Sequence, residues 1–291
     1  MSSAAQLIYQ TIQNSTASGR GTSYYAVAAN CGMKRHLSDL HRELVQLGET
    51  NVEAKRKGTL YHGLKDMWLK GEVPEGIVLD VGPIQDQEWA EALRLFNFAR
   101  EHFPKNYWGD FLASEFKMPI NDDHKARIAE FFGHDEVTGA ADAVFLLSAE
   151  DVARLEADRG VTLRGPGIYL LDHKTAAARK SPEAAEHQYL DSIQAKLYPL
   201  LFNLAGGEQC KGIIFDVIVA HQELRRTDIS KQKLSSVQTF FAAHDVENDY
   251  RARTAVNFAR ESRNSRQLNP YACSDAYGKC IFKTQNICKG Y

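Results

Sequence analysis

The residues best suited to chemistry in this sequence form a short acidic and basic pattern, LLDHKT, at positions 170–175. On a β-strand, side chains two residues apart point to the same face, so Asp172 and Lys174 point together and His173 points away. A carboxylate beside an ammonium group suits a divalent-metal hydrolase, because the acid can hold the ion while the lysine orients water or stabilises developing charge. The alternative is a surface salt bridge on an exposed strand.

Two further acids precede this pattern. Asp142 follows small residues in the apolar stretch VTGAADAVFLL, where a carboxylate needs a partner or a metal ion unless it caps a turn. Glu115 lies in ASEFKMP, in a predicted strand, and either faces the same site or is half-exposed. Asp142 and Asp172 provide the hard oxygen ligands that Mg²⁺ or Mn²⁺ prefers.

Two pairs of residues are spaced four apart and therefore share a helix face. In the first pair, Gly58 allows another backbone to approach and His62 can bind a metal, although helical histidines are commonly ordinary surface or core residues. In the second pair, Gln194 and Tyr198 lie in a predicted helix, where ordinary packing is the alternative. The candidate metal ligands are His62, Asp142, Asp172 and His173.

The elements that must position these residues alternate between helix and strand patterns. Helices are predicted at 34–47, 58–70 and 85–102, strands at 110–118, 137–147 and 167–173, a long helix at 184–204, a buried strand at 211–220 and an arginine-rich helix at 246–265. Residues 149–159 are predicted to form a short helix or a polar excursion. This order predicts an α/β fold with a central mixed β-sheet flanked by helices.

The composition is that of a globular protein. With 291 residues, 44% hydrophobic and 25% charged, the whole chain is not expected to be disordered, collagen-like or a coiled coil. No apolar run approaches the roughly 20 residues of a membrane helix, and the polar N-terminus lacks the apolar centre of a secretory signal. We therefore expect a cytoplasmic location and, without repeats or linkers, a single domain over 1–291.

Charge is unevenly distributed along the chain, although the net charge is only −2. Residues 251–291 contain five arginines and three lysines against Glu261 and Asp275, a balance of +6 that leaves −8 for the remainder. A basic end on an acidic body favours a local site for a polyanion, and a solvated basic helix is the alternative. The sequence has no GxxxxGK[ST] phosphate loop, so an ATPase motor is not predicted.

Three of the five cysteines, Cys273, Cys280 and Cys288, lie within the last 19 residues. Disulfides are not expected without an export signal, and clustered thiolates favour a soft metal or an iron–sulfur cluster. The spacing does not match the paired CxxC of a zinc ribbon. A fourth ligand is needed from Cys31 or Cys210, of which Cys210 has the alternative role of a small hydrophobic residue beside a buried strand.

These motifs, in this order, resemble the PD-(D/E)XK nucleases of the RecB-like group. They read GTLYH at 58–62, Glu115, GAAD at 139–142, DHK at 172–174 and QAKLY at 194–198. The resemblance implies a restriction-endonuclease-like α/β core over about 55–222, while 1–54 and 223–291 form a cysteine-bearing cluster region.

The resemblance also implies roles for individual residues. The implied metal ligands are His62, Asp142 and Asp172, while Lys174 assists the attacking water, Gln194 and Tyr198 contact DNA and the active site, and Glu115 is an accessory acid. The implied activity is that of a Mg²⁺- or Mn²⁺-dependent deoxyribonuclease, an exonuclease acting on DNA ends or single strands in recombination, repair or phage DNA metabolism. A separate helicase or recombination protein is an expected partner. The alternative from another class is a catalytically idle DNA-end-binding module with a structural metal.

The cysteines fit the same resemblance. Some RecB-like nucleases, including the AddB type and the CRISPR-adaptation type, carry one cysteine before the nuclease motifs and three after them. Those four cysteines hold a [4Fe–4S] cluster that joins the two ends of the chain. By resemblance, the cluster ligands here are Cys31, Cys273, Cys280 and Cys288, and zinc is the alternative metal.

Overall fold

The structure is a computed structural model that describes residues 52–72, 87–134, 137–177, 182–220, 236–264, 274–275 and 278–279. The predicted helix at 34–47 lies outside these residues. So do the four proposed cluster cysteines, Cys31, Cys273, Cys280 and Cys288. The metal cluster that would join the two ends of the chain therefore stays a prediction.

The described elements follow the predicted alternation of helices and strands. In chain order they are α1 (Val52–Leu69), α2 (Gln87–His102), β1 (Asp110–Met118), α3 (Asp122–Phe132), β2 (Gly139–Leu147), α4 (Ala149–Arg159), β3 (Gly167–Ala177), α5 (Pro182–Leu190), α6 (Ile193–Leu204), β4 (Cys210–Ala220), β5 (Ser236–Ala243), α7 (Val246–Asn264), β6 (Ser274–Asp275) and β7 (Gly278–Lys279). Helix α3 and strand β5 were not predicted. Among the described helices, none combines the length and the apolar character needed to cross a membrane.

Strands β1 to β5 form a five-stranded sheet in the order β1-β2-β3-β4-β5. Strands β1, β2 and β3 pair antiparallel, β4 runs parallel to β3, and β5 is antiparallel to β4. The parallel pair needs a crossover connection, which α5 and α6 lie within. Helices α1, α2 and α4 bury apolar residues on one face, and α3, α6 and α7 bury them on the other. The predicted α/β class, a mixed sheet flanked by helices, is confirmed.

Local capping signals set helix boundaries that position the site. Helix α4 begins with a capping box, in which the Ser148 hydroxyl accepts from the Asp151 N–H and the Asp151 carboxylate accepts from the Ser148 N–H. Ser192 caps α6 in a similar way, because its hydroxyl accepts from the Ala195 N–H at 3.1 Å. This cap divides the helix predicted at 184–204 in two and puts Gln194 in the first turn of α6.

Two glycines of the predicted motifs differ in how closely they are packed. A Cβ atom on Gly139 would lie 2.9 Å from Tyr198 Cε1 and 3.0 Å from Leu201 Cδ1, so this glycine lets β2 lie directly against α6. A Cβ atom on Gly58 would lie 3.7 Å from Thr175 Oγ1, which is an ordinary van der Waals contact. The close approach expected at Gly58 is therefore found at Gly139 instead.

We expect Gly139→Ala to lower the free energy of unfolding by about 1–3 kcal/mol, because the added methyl group overpacks the contact between β2 and α6. Gly58→Ala should instead raise it by about 0.5–1 kcal/mol, because alanine loses less backbone entropy inside a helix. Urea unfolding of the two variants measures both changes. Equal effects of the two substitutions would contradict the packing difference.

Candidate functional site

The predicted site residues meet where strands β2 and β3 separate. The pairing of these strands ends at Ala143 and Leu171. The next residue on β2 is Asp142, and the next residue on β3 is Asp172. The peptide N–H of His173 donates to Asp142 Oδ2 at 2.7 Å. A carboxylate therefore takes the place of a strand partner at the end of the ladder, and this brings the two aspartates to the same end of the β2–β3 pair.

His62 reaches this point from α1, with its Nδ1 atom 3.2 Å from Asp142 Oδ2. Burial raises the pKa of Asp142, but the charge and hydrogen bond of His62 and the charge of Lys174 outweigh burial and hold that pKa well below its usual range. Burial lowers the pKa of His62, but Asp142 outweighs this effect and raises it. Both shifts favour an ionised carboxylate beside a protonated imidazole.

Asp172 has a side chain that is only 2% exposed and shares its carboxylate between two partners. Lys174 Nζ lies 2.5 Å from Oδ2, as the strand alternation predicts, and Gln194 Nε2 donates to Oδ1. Burial raises the pKa of Asp172 to about 6, with Lys174 opposing this effect and Asp142 adding to it. Burial lowers the pKa of Lys174, but Asp172 and Asp142 outweigh it and raise that pKa. The lysine therefore stays charged, whereas the aspartate takes up a proton in mildly acidic solution.

Gln194 and Tyr198 occupy different depths of the site. Gln194 is half-buried and contacts the Asp172 carboxylate directly. Tyr198 is buried, and its ring lies close against Gly139 of the GAAD motif. The tyrosine therefore supports β2 beneath the site, and its contact with DNA stays a prediction.

Glu115 lies beside Asp142 on the neighbouring strand, because the residues on either side of it pair with Ala143 and Ala141. Its backbone has φ +47°, a left-handed conformation that is unfavourable for a residue other than glycine. Its side chain is exposed. Desolvation raises the pKa of Glu115, as do the charges of Asp142 and Asp66. Glu115 therefore lies at the edge of the site, and its role as an accessory acid stays a prediction.

The side chain of His173 points to the opposite face of β3, as the strand alternation predicts. Its Nδ1 atom lies 3.0 Å from Oδ2 of Asp216 on β4. His173 is therefore directed away from the Asp172 carboxylate, and this orientation does not agree with its predicted role as a ligand of the same metal.

Sequence reasoning missed the polar residues behind the site, which are Tyr61, Lys65 and Asp216, and also missed Asp66 beside Glu115. A signal for Asp216 was present, because it is the only charged residue in the apolar run IIFDVIV. A carboxylate inside a central strand needs a buried partner. That partner is His173, and nothing in the local pattern around Lys65 indicates that its charge also acts on Asp216.

The side chains at this site are of the types that bind hard divalent cations. Asp142, Asp172 and Glu115 offer carboxylate oxygens, and His62 offers an imidazole nitrogen. Within the described ranges, no group of three or more such side chains is already arranged as a metal site. In the present arrangement His62 and Lys174 balance the carboxylate charges that a bound cation would balance.

The comparisons with known proteins identify no relative, because no family model matches the chain and no curated protein matches it. The class of this protein is therefore defined by its fold and its site. It is an α/β protein whose five-stranded mixed sheet carries two aspartates and a lysine where two strands separate, with a histidine that reaches them from helix α1.

Asp172 provides a pH-dependent test of this geometry in metal-free protein. Its pKa of about 6 lies above the ordinary value of 3.8, so ionising Asp172 destabilises the folded state. This cost is absent below about pH 4 and is complete once the pH exceeds the folded pKa. We expect Asp172→Asn to remove it, so that the variant gains stability relative to wild type as the pH rises from about 4 to about 7. Urea unfolding in EDTA measures the difference.

Asp142→Asn is the matched control, with the opposite sign. The pKa of Asp142 lies below its usual value, so its ionised form stabilises the fold above the unfolded pKa, and this contribution is lost as the pH falls. The Asp142→Asn variant should therefore lose stability relative to wild type as the pH rises. If the stability of both variants relative to wild type changed with pH in the same direction, the opposite pKa shifts of the two carboxylates would be contradicted.

Proposed function

We propose that this protein is a metal-dependent deoxyribonuclease of the PD-(D/E)XK type, similar to the RecB-like group, which hydrolyses phosphodiester bonds in DNA. The observation that carries the proposal is the meeting of Asp142, Asp172 and Lys174 where β2 and β3 separate. His62 and Gln194 contact the two aspartates from helices on opposite faces of the sheet. The mixed sheet and the order of the motifs along the chain support the same assignment.

The proposed metal ligands are two aspartates and a histidine. Asp142, Asp172 and His62 are the residues that would hold Mg²⁺ or Mn²⁺, which when bound supplies a Lewis acid for the phosphate and lowers the pKa of water. Gln194 keeps one oxygen of Asp172 occupied through its amide group. The other oxygen of this carboxylate is thereby held beside Lys174.

Lys174 acts as a charged donor in this proposal. Its pKa is raised by the two aspartates, so its ammonium group is not a proton acceptor near neutral pH. A fixed ammonium group can orient the attacking water and stabilise the negative charge that develops on the phosphate. Glu115, whose pKa is also raised, provides a further carboxyl group at the edge of the site.

The arginines of α7 are the described candidates for phosphate contacts. Arg251 pairs with Glu247, and Arg253 lies over the ring of Phe131 at 5.4 Å from its centroid. Arg260 is exposed. Exposed pairs spaced four apart on a helix contribute only about 0.3–0.5 kcal/mol, so Arg251 can exchange its partner for a phosphate. Such contacts set affinity without reading sequence. Action at DNA ends, a helicase or recombination partner and a cytoplasmic location are proposed from the resemblance alone.

We expect Lys174→Ala to bind DNA but to cleave it at least about 100-fold more slowly, because a preorganised charge is removed. Asp172→Ala should abolish cleavage because a metal ligand is lost. The measurement is digestion of end-labelled single-stranded and duplex DNA with Mg²⁺, Mn²⁺ or EDTA. Lys125→Ala, at an exposed lysine of α3, is the control and should cleave like the wild type.

Two outcomes would overturn the proposal in different ways. Wild-type cleavage rates in both Lys174→Ala and Asp172→Ala would show that the site is wrongly assigned. A wild-type protein that binds DNA ends but cleaves nothing under any metal condition would favour the idle end-binding module.

A [4Fe–4S] cluster held by Cys31, Cys273, Cys280 and Cys288 is part of the proposal, with zinc as the alternative. The surroundings of Cys210 in the described structure disfavour it as the fourth ligand, and we therefore propose Cys31. Cys210 is buried, and its thiol donates to the Gly212 carbonyl at 3.0 Å. Burial raises the pKa of Cys210 to about 12, which disfavours the thiolate that a metal requires.

We expect Cys31→Ala and Cys280→Ala to lose iron and the brown colour of the purified protein, because each removes one of four ligands. Cys210→Ala should keep both, since it removes only a small buried side chain. Iron and sulfide analysis of anaerobically purified variants measures this. Loss of iron from Cys210→Ala but not from Cys31→Ala would exclude the proposed ligand set, and a colourless protein containing zinc would exclude the iron–sulfur cluster.

A further inference from the structure

A buried polar cluster lies beside the proposed active site. It consists of Tyr61 and Lys65 on α1, His173 on β3 and Asp216 on β4, each at most 1% exposed. Burying charged and polar groups is costly unless they are paired. This cluster is therefore a feature that needs a physical reason.

Asp216 is the centre of the cluster. It pairs with His173 in the β3–β4 register, and its Oδ2 atom lies 3.0 Å from His173 Nδ1. Burial raises the pKa of Asp216, but the hydrogen bond and charge of His173 and the charge of Lys65 outweigh burial and lower it. Tyr61 packs edge-on against the His173 ring, with ring centroids 6.3 Å apart. The cluster therefore connects one helix to two neighbouring strands.

The same segments also carry residues of the active site. Tyr61 is the chain neighbour of His62, whose imidazole pairs with Asp142. His173 stands between the two reactive residues of β3, and its peptide N–H donates to Asp142 Oδ2 at 2.7 Å. A shift of the His173 ring would move this peptide group, and a shift of α1 would move His62.

Stability alone does not account for these residue types. Well-packed apolar side chains commonly stabilise a core as much as a buried ion pair does. Neighbours on the same side of β3 and β4, such as Leu171, Ile214 and Ile218, are apolar. In the part of the chain that is described, Tyr61 Oη, His173 Nε2 and Asp216 Oδ1 have no hydrogen-bond partner. Each such buried atom costs about 1–3 kcal/mol.

We propose that this buried polar cluster of Tyr61, Lys65, His173 and Asp216 positions the active-site residues beside it. It holds α1 and β3 at the spacing at which His62 and the His173 peptide N–H both reach Asp142. These are positioning residues, because they act through the active-site groups rather than on substrate or metal. The inference rests on the proposed nuclease function and adds to it the residues that keep the site assembled.

The test compares two substitutions of one residue. His173→Phe keeps a ring of similar size but removes the donor to Asp216, and leaves Lys65 to balance that carboxylate. His173→Asn keeps a donor at the same branch of the side chain. We expect His173→Phe to lower kcat and weaken Mn²⁺ binding by about 10–100-fold, with KM for DNA nearly unchanged. His173→Asn should restore most of both.

Leu155→Ala, in the buried face of α4, is the control for stability. It should lower the free energy of unfolding by about 2–5 kcal/mol while leaving kcat and Mn²⁺ affinity at their wild-type values. Thermal melts followed by circular dichroism place all variants on one stability scale. If activity follows stability across the three variants, the cluster is merely structural and the inference is wrong.

If His173→Phe does not fold, the triple variant Lys65→Met, His173→Phe and Asp216→Leu replaces every side chain of the cluster except Tyr61 by an apolar group. A folded triple variant with wild-type Mn²⁺ affinity and kcat overturns the inference, and a folded triple variant that has lost both supports it. Failure of the triple variant to fold shows that the cluster is needed for folding, which also overturns it.

Mn²⁺ affinity, measured by calorimetry without DNA, separates the two proposals. If the wild-type protein binds Mn²⁺ but cleaves no DNA, the proposed nuclease function is wrong. The Mn²⁺ affinities of the His173 variants then still decide whether the cluster positions the site. A wild-type protein that cleaves DNA, with no difference between His173→Phe and wild type, removes only the positioning inference. A wild-type protein that neither binds Mn²⁺ nor cleaves DNA removes both.

Discussion

The hydrogen bond from the His173 peptide N–H to Asp142 is the interaction on which the site depends. Every buried backbone N–H needs an acceptor, and where β2 and β3 stop pairing a side chain must supply one. Asp142 does so at 2.7 Å, which fixes its carboxylate at the end of the strand ladder. The second aspartate, Asp172, directly follows Leu171, the last residue of β3 that pairs with β2. The chemistry of the site is therefore a consequence of where two strands separate.

The negative charges of two neighbouring carboxylates must be compensated, and the surroundings of Asp142 and Asp172 do this differently. His62 and Lys174 lower the pKa of Asp142 despite its burial, whereas burial raises the pKa of Asp172 to about 6. Neighbouring acids whose pKa values are pushed apart can take different roles at one pH. The shifts favour the ionised form of Asp142 and the protonated form of Asp172.

Both faces of the sheet contribute to holding this arrangement. On one face, the cap at Ser192 starts α6 so that Gln194 reaches Asp172. On the other face, α1 contributes His62 to the site and Lys65 to the buried cluster around Asp216. The reactive groups thus lie on strands packed between helices, which limits their movement.

The sequence by itself determined the features that depend on local periodicity. Strand β1 has the predicted bounds, and Asp172 and Lys174 share a face because side chains alternate along a strand. The tertiary structure alone decided that His173 turns to Asp216 and that Glu115 lies at φ +47° beside Asp142. Spacing along one element decides which residues share a face, but which faces meet depends on strand register and on packing between distant segments.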